Sequence, residues 1–178
     1  APDGRLWVGL RSGLRCLIRQ MLTPCDGEAL PQTSVFAFRP MPDGSLWLGT
    51  SLGLVRSRDG RFATYADNVD LPAEPVFGIL DDGAGALWLS TNHGLLRVAQ
   101  ADIAAYDRGE TGRIASDSFG KSDGMLSAQG NGASQTPAWR GRDGRLWFGT
   151  TQGIVQVDPR HLRRNTLAPA VAIERVLV

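Results

Sequence analysis

One short phrase occurs four times in the chain and limits its fold more than any other feature. The complete form reads Asp-Gly-x-Leu-Trp-x-Gly, and the third copy is the variant Gly-Ala-Leu-Trp-Leu-Ser at 85–90. A glycine and an aliphatic residue follow each copy a few positions later. The tryptophans lie 40, 41 and 59 residues apart, at Trp7, Trp47, Trp88 and Trp147. A period of about 40 residues with an aromatic signature and turn glycines is typical of one β-propeller blade.

The second repeat is the clearest copy and shows the expected unit. Its sequence predicts strands at 34–39, 46–48, 54–57 and 61–65, separated by Gly-containing turns. Four short antiparallel strands joined by tight turns form a meander, which is the unit of a propeller blade. Alternation puts Leu46 and Leu48 on one face of this sheet and Trp47 on the other. Because both faces are apolar, we expect the sheet to lie between two neighbouring sheets.

The repeats predict an all-β fold, a β-propeller fragment of about four blades of four-stranded antiparallel meanders with a short helical insertion. The expected domain covers 1–159, with blades at about 1–32, 33–70, 74–121 and 134–159. The first repeat lacks its opening strand. The additional residues between Trp88 and Trp147 include the helix formers of 99–108, so we expect a helix there with Asp102 as its cap. Trp139 is expected in the inner strand of the last blade.

Composition excludes several classes of partner. The chain has 178 residues, with 19 basic and 18 acidic side chains, so its charge gives no reason to bind nucleic acid or an anionic membrane. No run of about 20 apolar residues is present that would span a bilayer. The chain begins without methionine and ends within an apolar run, and we therefore expect it to be a fragment.

The two cysteines leave two alternatives open. Cys16 and Cys25 are nine positions apart in the first repeat, where they could form a disulfide across a hairpin in an oxidising compartment. They could equally be two reduced core thiols. No histidine or further cysteine has zinc-ligand spacing, so we expect no metal site, and the sequence indicates no cofactor.

The extended phrase Asp-Gly-x-Leu-Trp-x-Gly-Thr-x-x-Gly-Leu is complete at 43–54 and nearly complete at 143–154. It resembles the two-component regulator propeller repeats, which form the periplasmic sensor region of bacterial hybrid histidine kinases or diguanylate cyclases. The resemblance implies a periplasmic location, as the extracytoplasmic part of an inner-membrane protein anchored only through downstream segments. It also implies that 160–178 are a connector and the first strand of a following immunoglobulin-like domain.

Three functions are compatible with these observations. The first is a non-enzymatic extracytoplasmic sensor region that binds an unknown small-molecule or glycan ligand. The second is a carbohydrate-active propeller enzyme, either a lyase or a glycosidase. The third is a protein-interaction scaffold without a small ligand. Asp3, Asp43 and Asp143 recur before glycine, as hairpin turns require, and therefore do not indicate an active site.

The candidate ligand-binding residues are those that interrupt the repeat. They combine hydrogen-bonding groups with one aromatic face, which suits a polar organic ligand. These residues are Asn92, His93, Asn131, Ser134, Gln135 and Trp139. For His93, an exposed turn histidine is the alternative interpretation.

The two outer blades are expected to leave apolar side chains uncovered. In the first blade these would be Leu6, Val8 and Leu14, and in the last blade Trp147 or Phe148, depending on the side. Because proteins rarely leave such surfaces open to water, we expect self-association or pairing with the remainder of the same chain.

Overall fold

The computed structural model describes residues 6–25, 30, 33–66, 70–71, 73–133 and 136–162. These residues form fourteen strands and one α-helix, together with a short 3₁₀ turn at Lys121–Asp123. The elements are β1 Leu6–Leu10, β2 Gly13–Ile18, β3 Met21–Pro24, β4 Val35–Pro40, β5 Leu46–Thr50, β6 Gly53–Arg58, β7 Arg61–Thr64, β8 Gly78–Asp81, β9 Ala86–Ser90, β10 Leu95–Ala99, α1 Gln100–Asp107, β11 Ser116–Phe119, β12 Ala138–Arg140, β13 Leu146–Thr150 and β14 Gly153–Val157.

The strands form four antiparallel sheets in the order of the sequence. The first sheet is β1-β2-β3, the second β4-β5-β6-β7, the third β8-β9-β10-β11 and the fourth β12-β13-β14. Strand β4 contacts β8, and β8 contacts β12, so the first strands of successive sheets lie side by side. This arrangement is a fragment of a β-propeller, as predicted. In the described part of the chain the two outer sheets have three strands each. The first sheet lacks its opening strand, as expected, and the fourth sheet lacks the last strand of the expected four-stranded unit.

Alternation along the second strand of the repeat places one apolar row on each face of the sheet. Trp47 is 4% exposed and shares an apolar cluster with Leu87 and Leu89 of the third sheet. Its neighbour Leu48 is fully buried on the opposite face, in the cluster that includes Leu14 of the first sheet. The predicted two-faced burial of this strand is therefore confirmed.

The glycine that ends the phrase permits close approach of the next sheet. A Cβ on Gly9 would lie 2.8 Å from the carbonyl oxygen of Val35. The third copy has Ser90 at this position, and there the glycine is on the approaching segment instead. A Cβ on Gly130 would lie 2.5 Å from Ser90 Oγ. One partner in each of these contacts must lack a side chain.

The aspartates of the phrase stabilise its hairpin turns, as predicted. Asp43 Oδ1 accepts hydrogen bonds from the Ser45 amide at 3.0 Å and the Ser45 hydroxyl at 2.6 Å, and the hydroxyl bond lowers the pKa of Asp43. Asp143 Oδ1 accepts from the Arg145 amide at 3.1 Å. Asp3 lies outside the described residues.

Helix α1 connects β10 to β11 and joins the third sheet to the second. Ile103 is 1% exposed in the cluster that also contains Trp47. Asp107, at the end of the helix, accepts a hydrogen bond from the Tyr65 hydroxyl at 3.1 Å and pairs with Arg56 at 2.7 Å. The helix was predicted correctly, but its cap was not. The capping residue is Ala99, which makes no side-chain bond, and Asp102 lies within the first turn.

The open faces of the outer sheets differ in part from expectation. Leu6 is 57% exposed and Trp147 is 37% exposed, whereas Val8 is half-buried. Leu14 was expected to be exposed but is 5% exposed, because it lies on the opposite face of its sheet and packs in the cluster with Leu48. On the fourth sheet the exposed residue is Trp147, and Phe148 is buried against the third sheet.

Cys16 and Cys25 form a disulfide, with Cα atoms 5.0 Å apart. Cys16 lies in β2 and is fully buried, and Cys25 directly follows β3. The bond joins the outer edge of the first sheet to the strand beside it. Of the two alternatives that the sequence left open, the structure contains the disulfide.

We expect loss of this disulfide to lower the free energy of unfolding by about 2 to 3 kcal/mol, because the bond restricts the unfolded chain over a separation of nine residues. Urea unfolding with and without dithiothreitol measures the change. Cys25→Ser is the control, since its stability should equal that of the reduced protein and should not respond to dithiothreitol. Identical unfolding of the oxidised and reduced wild type would contradict the prediction.

We expect the free energy of unfolding to fall at alkaline pH because of the buried Tyr65 phenol. Burial raises the pKa of this phenol well above its usual value, so the folded protein retains a proton that the unfolded chain releases above about pH 10. The stabilisation is complete below that pH and declines as the pH rises further. Tyr65→Phe should cost about 1 kcal/mol at neutral pH through the lost hydrogen bond to Asp107.

The same variant should also show a smaller loss of stability between pH 9 and about 11 than the wild type. Unfolding free energies measured across this pH interval test both effects. Equal alkaline losses in the two proteins would show that the Tyr65 phenol is not responsible.

Candidate functional site

Two kinds of segment meet at one end of the sheets, which we name the loop end. The first kind is the turn between the second and third strands, at 50–53, 91–94 and 150–153. The second kind is the segment that leads into the first strand, at 33–34, 74–77 and 127–133. Because Val35 at the start of β4 pairs with Thr50 at the end of β5, the two kinds of segment lie together.

A repeated threonine gives these turns a common backbone. Thr50 Oγ1 donates to the Gly53 carbonyl at 2.8 Å, and Thr150 makes the equivalent bond to Gly153 at 3.0 Å. Thr91 bonds to Gly94 in the same way at 3.2 Å. Each threonine hydroxyl also accepts from the amide two residues later. The residues whose amides donate these bonds therefore occupy the same position of the turn in each sheet. They are Leu52, His93 and Gln152.

A side-chain bridge connects each turn to its lead-in segment. In the second sheet Thr33 Oγ1 lies 2.7 Å from Ser51 Oγ, and in the fourth Ser127 Oγ lies 2.9 Å from Thr151 Oγ1. The third sheet instead brings an acid and an imidazole together.

In that bridge His93 Nδ1 lies 2.6 Å from Glu74 Oε2. The imidazole is 83% exposed, whereas the carboxylate is only 11% exposed. His93 is therefore an exposed turn histidine, but it has a buried acidic partner. The sequence interpretation missed Glu74, because it lies in a lead-in segment that the repeated phrase does not include.

Asn131 lies beside the same turn. The Asn131 amide donates to the Gly149 carbonyl at 3.0 Å, and the neighbouring Gly130 amide donates to the Thr91 carbonyl at 2.8 Å. The side-chain oxygen of Asn131 accepts a hydrogen bond from the Ala133 amide at 3.0 Å. The structure thus brings Asn92, His93 and Asn131 together at the loop end. Ser134 and Gln135 lie outside the described residues.

Two phenylalanines lie next to these polar groups, at the starts of the innermost strands. Phe36 and Phe77 are half-buried and pack edge to face, with ring centroids 5.3 Å apart. A bulge between Val35 and Ala37 interrupts the pairing at Phe36. Gly132 lies against the Phe77 ring so closely that a Cβ would overlap the ring atoms. We name this phenylalanine pair the Phe36–Phe77 rim, and the segment that carries Asn131 packs against it through Gly130 and Gly132.

Trp139 lies in the first strand of the fourth sheet, as predicted, but not at the loop end. It pairs directly with Trp147, so both rings lie on the same face of the sheet. They are 64% and 37% exposed, respectively. The equivalent face of the second and third sheets carries the buried Trp47 and Trp88. Trp139 therefore belongs to the open face of the last sheet.

Other features of the described residues do not add a reactive centre to the loop end. No group of three or more metal-ligating side chains occurs among them. A groove of about 750 Å³ runs along β14 and the loop after β11, and its lining includes Met125, Val155 and His161 as well as Gln152 of the turn at 150–153. The Glu74–His93 pair is thus the titratable pair that the loop end contributes.

Comparison with known proteins identifies the fold. The extracellular domain of BT4673 from B. thetaiotaomicron, assigned as a hybrid two-component system, has a TM-score of 0.70 at 20% identity over 89% of this chain and 23% of its own. The corresponding domain of BT3049 from B. thetaiotaomicron has a TM-score of 0.66 at 18% identity over 89% of this chain and 20% of its own. Virginiamycin B lyase from Staphylococcus aureus has a TM-score of 0.54 at 17% identity, over 87% and 52% respectively.

At these low sequence identities, the structural similarities show a shared propeller fold and no more. The extracellular domains are of the kind that the sequence resemblance implies, and this chain spans only about a fifth of their length, 23% and 20%. No family model matches the sequence, and no curated protein does. No helix among the described residues has the length and hydrophobicity that a membrane crossing requires.

We expect His93→Ala to lower the free energy of unfolding by about 1 kcal/mol, because it removes the hydrogen-bond partner of the buried Glu74 carboxylate. Gln152→Ala is the matched control, since Gln152 occupies the same turn position with an exposed side chain and should change stability by less than about 0.5 kcal/mol. Urea unfolding measures both variants. Equal effects would show that the bridge to Glu74 does not stabilise the turn.

Proposed function

We propose that this chain is a non-enzymatic, ligand-binding part of the sensor region of an extracytoplasmic signal-transduction protein. The observation that carries the proposal is the loop end, where Asn92, His93 and Asn131 lie beside the Phe36–Phe77 rim. Amide and imidazole groups next to aromatic rings suit a polar organic molecule with one apolar face, such as a sugar. Ser134 and Gln135 follow Asn131 in the same segment and are part of the proposed site.

The construction of the loop end supports binding at this place. The threonine-stabilised turns hold a constant backbone, and their exposed position differs between sheets, with Leu52, His93 and Gln152. Variable side chains on a rigid backbone are the usual arrangement of a recognition surface. A rigid site also reduces the entropy lost when a ligand binds.

Two observations support an extracytoplasmic, and specifically periplasmic, location. The Cys16–Cys25 disulfide is typical of oxidising compartments. The extracellular domains of BT4673 and BT3049 share the fold of this chain. Transmission of a signal would then depend on segments of the intact protein that connect the propeller to a membrane helix and an output domain.

The Glu74–His93 pair favours a second candidate function, that of a carbohydrate-active or other lyase. An imidazole 2.6 Å from a carboxylate is an arrangement that can accept a proton from a substrate. Virginiamycin B lyase shares the propeller fold at a TM-score of 0.54. Both candidate functions use the same end of the sheets, so they differ in whether a bound molecule is converted.

A screen of defined oligosaccharides and free amino acids tests the sensor proposal. We expect at least one compound to raise the melting temperature, because ligand at 100 times its Kd stabilises a protein by about 2.7 kcal/mol. Asn131→Ala and His93→Ala should each weaken its binding about ten-fold or more, measured by calorimetry. Arg61→Ala, which lies in β7, is the control and should bind as the wild type does.

The same compounds distinguish the two candidate functions. Mass spectrometry after prolonged incubation should recover the ligand unchanged. Product formation that His93→Ala abolishes would overturn the sensor proposal in favour of a lyase or glycosidase. Binding that Asn131→Ala and His93→Ala leave unchanged would remove the loop end as the site.

A further inference from the structure

The bridge between turn and lead-in segment has a different chemistry in the third sheet. In the second and fourth sheets two hydroxyl groups form it, those of Thr33 and Ser51 and those of Ser127 and Thr151. In the third sheet Asn92 occupies the turn position of these hydroxyl residues, and the bridge is formed one residue later, between His93 and Glu74. Two uncharged hydroxyl groups are therefore sufficient to bridge a turn of this kind.

The charged bridge places an acid where water has little access. The Glu74 side chain is 11% exposed, and a carboxylate removed from water requires a hydrogen-bonded partner. His93 is that partner, with its Nδ1 atom 2.6 Å from Glu74 Oε2. Because the hydroxyl bridges hold their turns without burying a charge, the acid–imidazole pair is better explained by what it presents to solvent than by stability.

Both members of the pair are held on hydrogen-bonded backbone. Two residues after Glu74 the Val76 amide donates to the Thr50 carbonyl of the second sheet at 3.0 Å, and the next amide donates to the Ser90 carbonyl of the third sheet at 2.8 Å. The His93 amide donates to the hydroxyl of the turn threonine at 3.1 Å. The pair also lies between the second and third sheets, both of which the structure describes with four strands. The orientation of the imidazole is therefore set before a ligand binds.

The hydrogen bond determines which ring nitrogen is left for a ligand. An ionised carboxylate can only accept, so the contact with Glu74 requires the proton to be on Nδ1 of His93. Nε2 is then the unprotonated nitrogen of a ring that is 83% exposed. An unprotonated Nε2 accepts a hydrogen bond. It therefore suits a ligand group that donates one, such as a hydroxyl.

The loop end also lacks a cation that would attract an acidic ligand. Across the three turns and three lead-in segments that form it, Glu74 is the only acidic residue, and there is no lysine or arginine. Arg11 is in the corresponding turn of the first sheet, whereas His93 is in the third. A carboxylate or sulfate group of a ligand would therefore meet the negative charge of Glu74 without an arginine or lysine of these segments beside it.

We propose that Glu74 is a specificity-determining residue of the loop end, which orients His93 so that the site binds uncharged, hydroxyl-rich molecules and rejects their acidic counterparts. The inference rests on the proposed ligand-binding function and names the class of ligand. Neutral oligosaccharides and other polyols have the required chemistry, because a hydroxyl donates to Nε2 and the Asn92 and Asn131 amides can bond to its neighbours. Uronic acids and sulfated sugars carry the excluded charge.

Nitrogen-15 NMR of the imidazole rings tests the orientation of His93 without a ligand. The chain has two histidines, so the spectrum contains two rings, and His161 is the internal control. We expect the Nδ1–H form at His93. Glu74→Ala removes the acceptor and should give a mixture of both tautomers at His93, with the His161 signals unchanged. Equal tautomer populations in the wild type and this variant would overturn the inference.

Paired probes test the selection against acidic ligands. One series contains neutral oligosaccharides of glucose, galactose and mannose, and the other contains the same compounds with their primary hydroxyls oxidised to carboxylates. We expect the wild type to bind at least one neutral compound about ten-fold or more tightly than its oxidised counterpart, measured by titration of the His93 ring signals. Glu74→Gln keeps the shape of the side chain without its charge and should reduce this ratio to about three-fold or less. Its circular dichroism should match the wild type, and Glu74→Ala is a second variant for the same ratio.

The results separate this inference from the proposed function. Oxidised compounds that bind as tightly as their neutral counterparts would overturn the role of Glu74 and leave ligand binding at the loop end in place. A ten-fold ratio that Glu74→Gln and Glu74→Ala both leave unchanged would overturn it as well. Binding of neither series at about 10 mM would overturn the ligand class, and the proposed function too if no free amino acid binds.

Discussion

The tryptophan of each phrase packs against the aliphatic or aromatic residues that flank the tryptophan of the next phrase, on the neighbouring sheet. The rest of this structure depends on that contact. A tryptophan buries about 150–250 Å² of surface, so each such contact is a large part of the apolar burial. Trp88 is fully buried in this way, and Leu87 and Leu89 on either side of it are fully buried on the opposite face. A single strand therefore belongs to two clusters at once. This arrangement requires sheets that approach closely, which explains why a glycine occupies one side of each approach.

The exchange between Ser90 and Gly130 shows that this constraint acts on the pair of segments rather than on one residue. In the first and second sheets the glycine is in the phrase, at Gly9 and Gly49. In the third sheet the phrase ends in serine, and the segment that approaches it provides Gly130, whose Cβ would meet Ser90 Oγ at 2.5 Å. The fourth phrase keeps Gly149, where its own lead-in is the only segment of the described residues that approaches. A departure from the repeat can thus be compensated from the neighbouring sheet.

Most of the fold could be predicted from the sequence, because the repeated phrase contains the strand alternation and the turn residues of one sheet. Strand alternation, turn aspartates and the helix between β10 and β11 follow from residues close together in the chain. The errors concern interactions that depend on tertiary structure. Asp102 is a good capping residue by type, but the chain leaves β10 directly into the helix, with Ala99 at the cap. Leu14 was expected on the open face, although its position opposite Gly9 directs it towards the second sheet.

The candidate site was less predictable, for a related physical reason. His93 and Asn131 are visible as interruptions of the repeat, but Glu74 becomes notable only when folding places it 2.6 Å from His93. Trp139 is aromatic and has polar neighbours, yet its pairing with Trp147 puts it on the open face of the fourth sheet. The residue types around a side chain cannot show whether it lies at the loop end or on an open sheet face, because the strand register determines which face it occupies.

Asn131 connects the loop end to the open face of the last sheet. Its backbone is bonded to Gly149, and its Cβ lies 3.9 Å from the place where a Gly149 side chain would begin. The preceding residue, Gly130, is bonded to Thr91 in the turn that carries His93. A ligand that contacts His93 and Asn131 would therefore hold the segment that borders the next sheet. Because a ligand shifts an equilibrium only through contacts that differ between two states, this segment is where occupancy of the site and packing of the neighbouring sheet would affect each other.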